Sequence, residues 1–234
     1  ITFVNAYTDP VVVAGPPTRN GGHKSIVRIQ NVTPTSCQIR IQEWDYHDQW
    51  HMFEDVSFLV VERGRHTMPN GTVLESGSID LSNEKLSLKE FSAALPSLPA
   101  VFGSIVSNND ATAITHRLKN VSTGSFNAKM QEEEANDGLH AAETFNFIAM
   151  EKFAGTIGDY EYVVGTEMIN HKPTTIEGLE GYENFFADMQ TLNGENTASV
   201  RMTGTPEELM NLYIQEEKSL DRETRHVHEE VAYL

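Results

Sequence analysis

The chain has 234 residues, of which 39% are apolar, so it is long enough and apolar enough to bury a core. Its 34 acidic and 17 basic residues give a net charge of −17, which opposes binding to phosphate backbones and to anionic membranes. We therefore predict no nucleic-acid partner and no membrane partner, and the single cysteine, Cys37, excludes an intramolecular disulfide.

One sequence unit recurs three times along the chain. An offset of 89 residues carries Arg28 to Arg117, and an offset of 84 residues carries Arg117 on to Arg201. The Gln-Glu and His-x-x-Glu motifs follow the same offsets, with two residues inserted before the last motif of the third copy. These ordered matches predict three tandem units, at residues 1–82, 83–170 and 171–234.

Each unit is predicted to be β structure, because its apolar residues alternate with polar ones over short segments that end at turn residues. In the segment 37–43, Cys37, Ile39 and Ile41 share one face, so we expect Cys37 to be a buried core side chain. Five or six such strands bury their apolar faces by packing sheet on sheet. The predicted fold class is all-β: three tandem small antiparallel β-sandwiches, the third incomplete.

The third unit is predicted to be incomplete because Leu234 aligns with Leu59. Counterparts of residues 60–79, which include a strand, are therefore not expected in it. An open sheet edge invites pairing with another chain. We expect that the chain is part of a larger multidomain protein, and the alternative is that another strand covers this edge.

A cluster of two glutamates and a histidine is predicted at one end of every sandwich. The glutamates lie on the core-facing side of their strands, and the histidine lies in the connecting loop. The first interpretation is structural, with the cluster bracing the mouth of a hairpin. The second is a Ca²⁺ or Zn²⁺ site, because carboxylates and imidazoles are ligands of such ions, and no other cofactor is expected. The three sets are Glu43, His51 and Glu54; Glu132, His140 and Glu143; and Glu216, His226 and Glu229.

An arginine recurs at the same outward-facing position of each unit, at Arg28, Arg117 and Arg201. The default interpretation is an ordinary cross-strand ion pair. The alternatives are a contact between units or a clamp on a ligand.

The loop between the Gln-Glu and His motifs differs between the units. In the first unit, residues 44–50 contain both tryptophans of the protein and a tyrosine. The equivalent loops, which begin at Glu133 and Glu217, contain no aromatic residue. Indole rings beside carboxylates are the usual chemistry of a sugar site. The alternative is that Trp44 and Trp50 pack the loop onto the sandwich.

The first unit resembles H-type lectin-like domains in Pro10-Val-Val-Val13, Arg28-x-x-Asn31-Val-Thr33, Gln42-Glu43-Trp44 and Val56-Ser-Phe58. This resemblance implies a six-stranded antiparallel sandwich, trimeric assembly and binding of galactose-type sugars. For three units in one chain, it implies an intrachain pseudo-trimer, with extended beads as the alternative. Similar repeats accompany exported bacterial polysaccharide-active proteins, so we expect a secreted protein. The expected sugar contacts are Trp44, Asp45, Tyr46, Asp48, Trp50, His51 and Arg28.

Two functions are therefore considered. The first is non-catalytic carbohydrate binding, to a galactose-containing polysaccharide or glycan. The second is a structural or adhesive spacer without sugar binding, stabilised by the glutamate and histidine clusters with or without a cation. An enzyme is not predicted, because the sequence contains no nucleophile elbow, phosphate-cradling loop or closed zinc motif.

Overall fold

The computed structural model describes residues 1–136, 138–204 and 210–234. These residues form strands β1 to β19, and they include no helix long and apolar enough to cross a membrane. All strand pairings between them are antiparallel. The predicted all-β fold of small antiparallel sheets is confirmed.

The strands group into three units and one connecting hairpin. The first unit contains β1 to β4, which are Pro10–Ala14, Ser25–Thr33, Ser36–Glu43 and Phe58–Glu62. The second contains β5 to β11, which are Gly64–Thr67, Val73–Leu81, Ser87–Glu90, Pro99–Ile105, Thr115–Lys119, Ser125–Gln131 and Glu143–Glu151. The hairpin consists of β12 and β13, Ala154–Ile157 and Tyr160–Val163. The third unit contains β14 to β19, which are Gly165–Ile169, Thr174–Thr175, Ala187–Met189, Ala198–Thr203, Asn211–Glu216 and Glu229–Tyr233.

Two sheets build each unit. In the second unit the strand orders are β5-β6-β11-β8 and β7-β10-β9, and in the third they are β14-β19-β16 and β15-β18-β17. The first unit has the pairs β1-β4 and β2-β3, and a single bridge between Thr2 and Ser36 lies where a third strand pairs in the other units. Its sheets are therefore the smallest of the three.

The strand pairing differs from the predicted division of the chain. The boundary predicted after residue 82 assigns β6 to the first unit, but β6 pairs with β11 over eight residues of the second. Likewise β14 pairs with β19, so the third unit has three strands in each sheet, and the first unit is the one that lacks a strand. Alignment of repeats reveals their period and not their starting point, because every starting point within a period gives the same offsets.

Each unit has its own apolar core, and a further core lies between the units. The core of the first unit is small and includes Cys37, which is 2% exposed, as predicted. The core between the units joins Val11 and Val13 of β1 to Phe102 of β8 and Ala232 of β19. Because β1 and β8 contact apolar neighbours on both faces, their sequences are almost continuously apolar instead of alternating.

Candidate functional site

A glutamate at or near the start of the last strand of each unit accepts hydrogen bonds from the turn opposite. In the first unit, Glu54 accepts them from the hydroxyl of Thr18 at 2.6 Å and from the backbone N–H groups of Asn20 and Gly21 at 2.7 and 2.8 Å. The other two sets are Glu143 with Ser107, Asn109 and Asp110, and Glu229 with Thr191, Asn193 and Gly194. The equivalent glutamate therefore closes the equivalent turn in each of the three units.

These hydrogen bonds lower the pKa of two of the glutamates. Burial by itself raises the pKa of Glu54 and Glu229, because it disfavours the charged form. The donors outweigh burial, so the pKa of Glu54 lies below its ordinary value and the pKa of Glu229 falls to about 2. Among the donors to Glu229, the side chain of His226 contributes most.

Each of these three glutamates also forms an ion pair with an arginine from another unit. The ion pairs are Arg28–Glu143 at 3.4 Å, Arg117–Glu229 at 2.6 Å and Arg201–Glu54 at 3.5 Å, and every side chain in them is at most 1% exposed. Each guanidinium also donates to a backbone carbonyl of the unit it contacts. The first unit thus binds the second, the second binds the third and the third binds the first, in a closed ring.

Arg28 consequently lies inside the protein and not at a sugar-binding surface. The prediction that the Arg28 side chain points away from the core of its own sandwich is correct. This direction leads into the neighbouring unit and not into solvent. The interpretation as a contact between units therefore describes all three arginines, and the ordinary cross-strand pair and the ligand clamp do not.

A histidine is held between two carboxylates in the first and third units. Nδ1 of His51 lies 2.9 Å from Glu43 and its Nε2 lies 2.8 Å from Glu54. In the third unit the corresponding distances from His226, to Glu216 and Glu229, are 2.8 and 3.2 Å. In both units each ring nitrogen of the histidine therefore faces a different carboxylate.

The second unit departs from this arrangement, because Nδ1 of His140 lies 2.7 Å from the carbonyl of Ala141 instead. The imidazole of the first unit lies directly over Gly21, where an added Cβ would come within 2.6 Å of the ring. In the third unit, a Cβ at Gly194 would come within 2.7 Å of His226. The second unit has Asp110 at this position. The side chain of Asp110 occupies the space that the imidazole fills in the other two units. This explains why His140 faces the carbonyl of Ala141 and not the two glutamates.

The predicted cation ligands Glu43, His51 and Glu54 do not converge on one point. Nδ1 of the imidazole faces one carboxylate and Nε2 faces the other, whereas an imidazole coordinates an ion through one nitrogen at a time. The third unit has the same arrangement, and in the second His140 faces neither Glu132 nor Glu143. The geometry therefore favours the hydrogen-bonded brace over the metal site.

A different trio in the first unit brings three ligand atoms close together. Nδ1 of His23 lies 3.0 Å from Glu43 and 3.5 Å from Asp48, and all three atoms lie within 4.8 Å of one another. The ring of His23 also stacks on His47, with centroids 4.4 Å apart. His23 is not predicted from the sequence, because it precedes Glu43 by 20 residues and the matching positions of the other units have no histidine. Pairing of β2 with β3 brings it there.

The first three residues of the aromatic loop, 44–46, make contacts with the other two units. Trp44 is 1% exposed and packs with Ile26 and with Ala113 of the second unit, so its ring offers no surface for a sugar. Asp45 accepts a hydrogen bond from the backbone of Ala113, and the hydroxyl of Tyr46 accepts one from the backbone of Lys218. The predicted stacking platform at Trp44 is therefore corrected to a contact between units.

Four of the predicted sugar contacts are exposed, Asp45, Tyr46, Asp48 and Trp50, and the last two are largely exposed. Trp50 is 72% exposed, and the side chain of Asp48 is 66% exposed beside His23. Tyr46 is 37% exposed, whereas the side chain of His51 is 5% exposed within its brace. The exposed part of the loop thus places an indole and a carboxylate beside the stacked imidazoles of His47 and His23.

Comparison with known proteins gives one partial similarity. Halomucin from Haloquadratum walsbyi (strain DSM 16790 / HBSQ001) is 30% identical to the chain over 251 aligned residues. The alignment covers 100% of the chain and 3% of Halomucin, so the chain spans a small part of that relative. No protein-family model and no solved structure matches the chain.

Proposed function

We propose that the chain is a non-catalytic structural block of an extracellular protein, a rigid spacer made of three sandwiches locked into a ring. One observation carries this proposal: the arginine and the turn-closing glutamate, which recur in all three units, are buried and contact each other across the unit boundaries. Side chains that are buried and paired across the unit boundaries have no exposed surface left for a sugar.

The extracellular location is supported by the comparison with Halomucin. That protein is named as a mucin, and the similarity extends over the whole chain. The single buried cysteine and the net charge of −17 are consistent with export.

A single-molecule force experiment tests the spacer function on the full chain. If the three units form one mechanical block, stretching should give one unfolding event that releases a contour length of about 80 nm, from 234 residues at about 3.4 Å each. Three separate events, each releasing about a third of that length, would show that the units are independent beads and would contradict the proposal.

A second candidate is carbohydrate binding at the exposed side of the aromatic loop, which we propose for a galactose-containing polysaccharide. It is favoured by the exposed indole of Trp50, which lies six residues beyond the buried Trp44 and has Asp48 and His23 nearby. The resemblance to H-type lectin-like domains supports it. A flat apolar ring beside charged acceptors suits the C–H face and the hydroxyls of a sugar.

Affinity electrophoresis in a galactan gel tests this candidate. Trp50→Ala should weaken binding about tenfold, since loss of a stacking aromatic group removes on the order of 1–3 kcal/mol. Leu139→Ala is the matched control, because Leu139 occupies the equivalent position in the second unit and is 80% exposed. Equal retention of the wild type and both variants would eliminate this surface as the sugar site.

A further inference from the structure

In the described part of the first unit, no strand pairs with the outer edge of β4, where the other two units have one. The carbonyls of Val60 and Glu62 on this edge accept side-chain hydrogen bonds instead, from Tyr7 and from His66 and Ser76. In the second unit β11 lies between β6 and β8, and in the third β19 lies between β14 and β16. The equivalent strand of the first unit, β4, pairs with β1 alone among the described residues. An edge strand presents backbone donors and acceptors that can pair with a further strand.

Side chains along β4 are more exposed than their equivalents. Phe58 is 38% exposed, whereas the matching Phe147 of β11 is 0% exposed. Most of β4 is intermediate in burial, whereas most of β11 is buried. Next to this edge lies a groove of 720 Å³, whose lining includes Phe58, Val60, Met68 and Tyr160. Its volume is within the range of sites that enclose a ligand.

The two covered edges show what kind of strand fits there. In β6, Gly77 pairs with Phe147, and an added Cβ would come within 2.9 Å of the phenyl ring. In β14, Gly165 pairs with Tyr233, and an added Cβ would come within 2.4 Å of the phenol. In both strands a glycine therefore makes room for the aromatic ring opposite.

The residues after this glycine also agree between the two strands. A serine or threonine follows directly, at Ser78 and Thr166, and an aliphatic residue lies four positions beyond the glycine. That aliphatic residue is Leu81 in β6 and Ile169 in β14, and both are at most 1% exposed in the cores of their units. The shared pattern is Gly, Ser or Thr, two variable residues, then Leu or Ile.

We infer that the open edge of β4 is a docking site for one antiparallel strand from a neighbouring repeat, with the pattern Gly-(Ser/Thr)-x-x-(Leu/Ile). Its glycine lies opposite Phe58, and its aliphatic residue enters the small core of the first unit. This is recognition by strand addition, in which the backbone supplies the hydrogen bonds and the side chains set the register. The inference rests on the proposed structural function and identifies how such a block joins the next one.

The test supplies this strand to the full chain in cis. Phe3 and Phe91 donate equivalent backbone hydrogen bonds, to Thr35 and Gly124, which sets the register of the first unit against the second. Since Phe3 matches Phe91, Ile1 matches residue 89 of the second unit. A copy of residues 73–88 placed directly before Ile1 therefore positions the added strand along β4. The control carries the same extension with the glycine copied from Gly77 changed to valine.

Amide hydrogen exchange of residues 58–62 is the measurement. The glycine extension should slow exchange in β4 at least about tenfold, because edge amides become paired, and the valine extension should not. Unchanged exchange with the glycine extension, or equal slowing with valine, would overturn the inference. The force experiment uses the chain without an extension, so failure of the spacer function is detected separately.

Discussion

Removal of Arg117 should destabilise the whole protein, because this guanidinium neutralises a carboxylate that water does not reach. Arg117 and Glu229 are both 0% exposed and lie 2.6 Å apart, the shortest of the three ion pairs between units. Arg117 also donates to the carbonyls of Asn196 and Thr191 at 3.2 and 3.4 Å. Arg117→Met keeps most of the side-chain volume while removing the charge and all of these donors.

The expected loss is about 3–5 kcal/mol, the range for breaking a buried ion pair by removing one partner. Glu229 keeps donors from His226, Thr191 and two backbone N–H groups, which places the loss at the lower end of that range. For a protein of this length, such a loss lowers the melting temperature by roughly 6–20 °C.

Urea denaturation followed by circular dichroism measures this loss. Arg40→Met is the matched control, because Arg40 is exposed on β3 and donates to Gln42 and Asn108 at 3.0 and 3.1 Å. The control should cost less than about 1 kcal/mol. Combining Arg117→Met with Glu229→Gln completes a double-mutant cycle, and the coupling energy should exceed about 1.5 kcal/mol.

A loss below about 1 kcal/mol for Arg117→Met, similar to that of the control, would refute this reasoning. It would mean that the ring of ion pairs does not hold the units together, and that the apolar core between them is sufficient. A large loss without coupling to Glu229 would assign the effect to the two carbonyl contacts.

Three further predictions concern single residues. Asp110→Gly should free the space occupied by a side chain and let His140 turn in between Glu132 and Glu143, which a crystal structure of the variant should show and an unmoved imidazole would contradict. Because the pKa of Glu229 falls from 4.5 to about 2 on folding, its carboxylate adds stability that is complete above pH 4.5 and is lost as the pH falls toward 2. The stability difference between the wild type and Glu229→Gln should therefore shrink over that pH range in urea titrations, and a constant difference would contradict the assignment. Burial raises the pKa of the Cys37 thiol, so a thiol reagent should label the native protein at least about a hundredfold more slowly than the unfolded chain.

The alternation of apolar and polar residues was sufficient to predict the fold class. It placed Cys37 in a core and assigned β structure throughout, because a strand with one apolar face shows a period of two in its own sequence. It could not assign β6 to the second unit, since that assignment depends on pairing with β11, more than 60 residues away along the chain. Pairing partners of that kind leave no local pattern.

The candidate site was predicted less well, and Trp44 shows why. Its equivalents are Glu133 and Glu217, and charged residues at those positions are typical of an exposed loop. Both glutamates are in fact buried, at 7% and 2% exposure, and accept backbone hydrogen bonds from Tyr46 and Glu134. A charged residue predicts an exposed position only when no buried hydrogen-bond donor faces it. The donors to these two glutamates lie in other units, so the sequence around each glutamate does not reveal them.

The closed ring of ion pairs also limits how such blocks join into a longer protein. Each pair uses the arginine of one unit and the glutamate of another, and three units leave none of these six side chains free. A fourth unit therefore cannot attach by the same contact without opening the ring. A strand can add at the edge of β4 without using these six side chains. The equivalent edges of β11 and β19 are covered in this way by β6 and β14, which precede them in their units. Addition of a strand at this edge extends that internal pattern and leaves the ring intact.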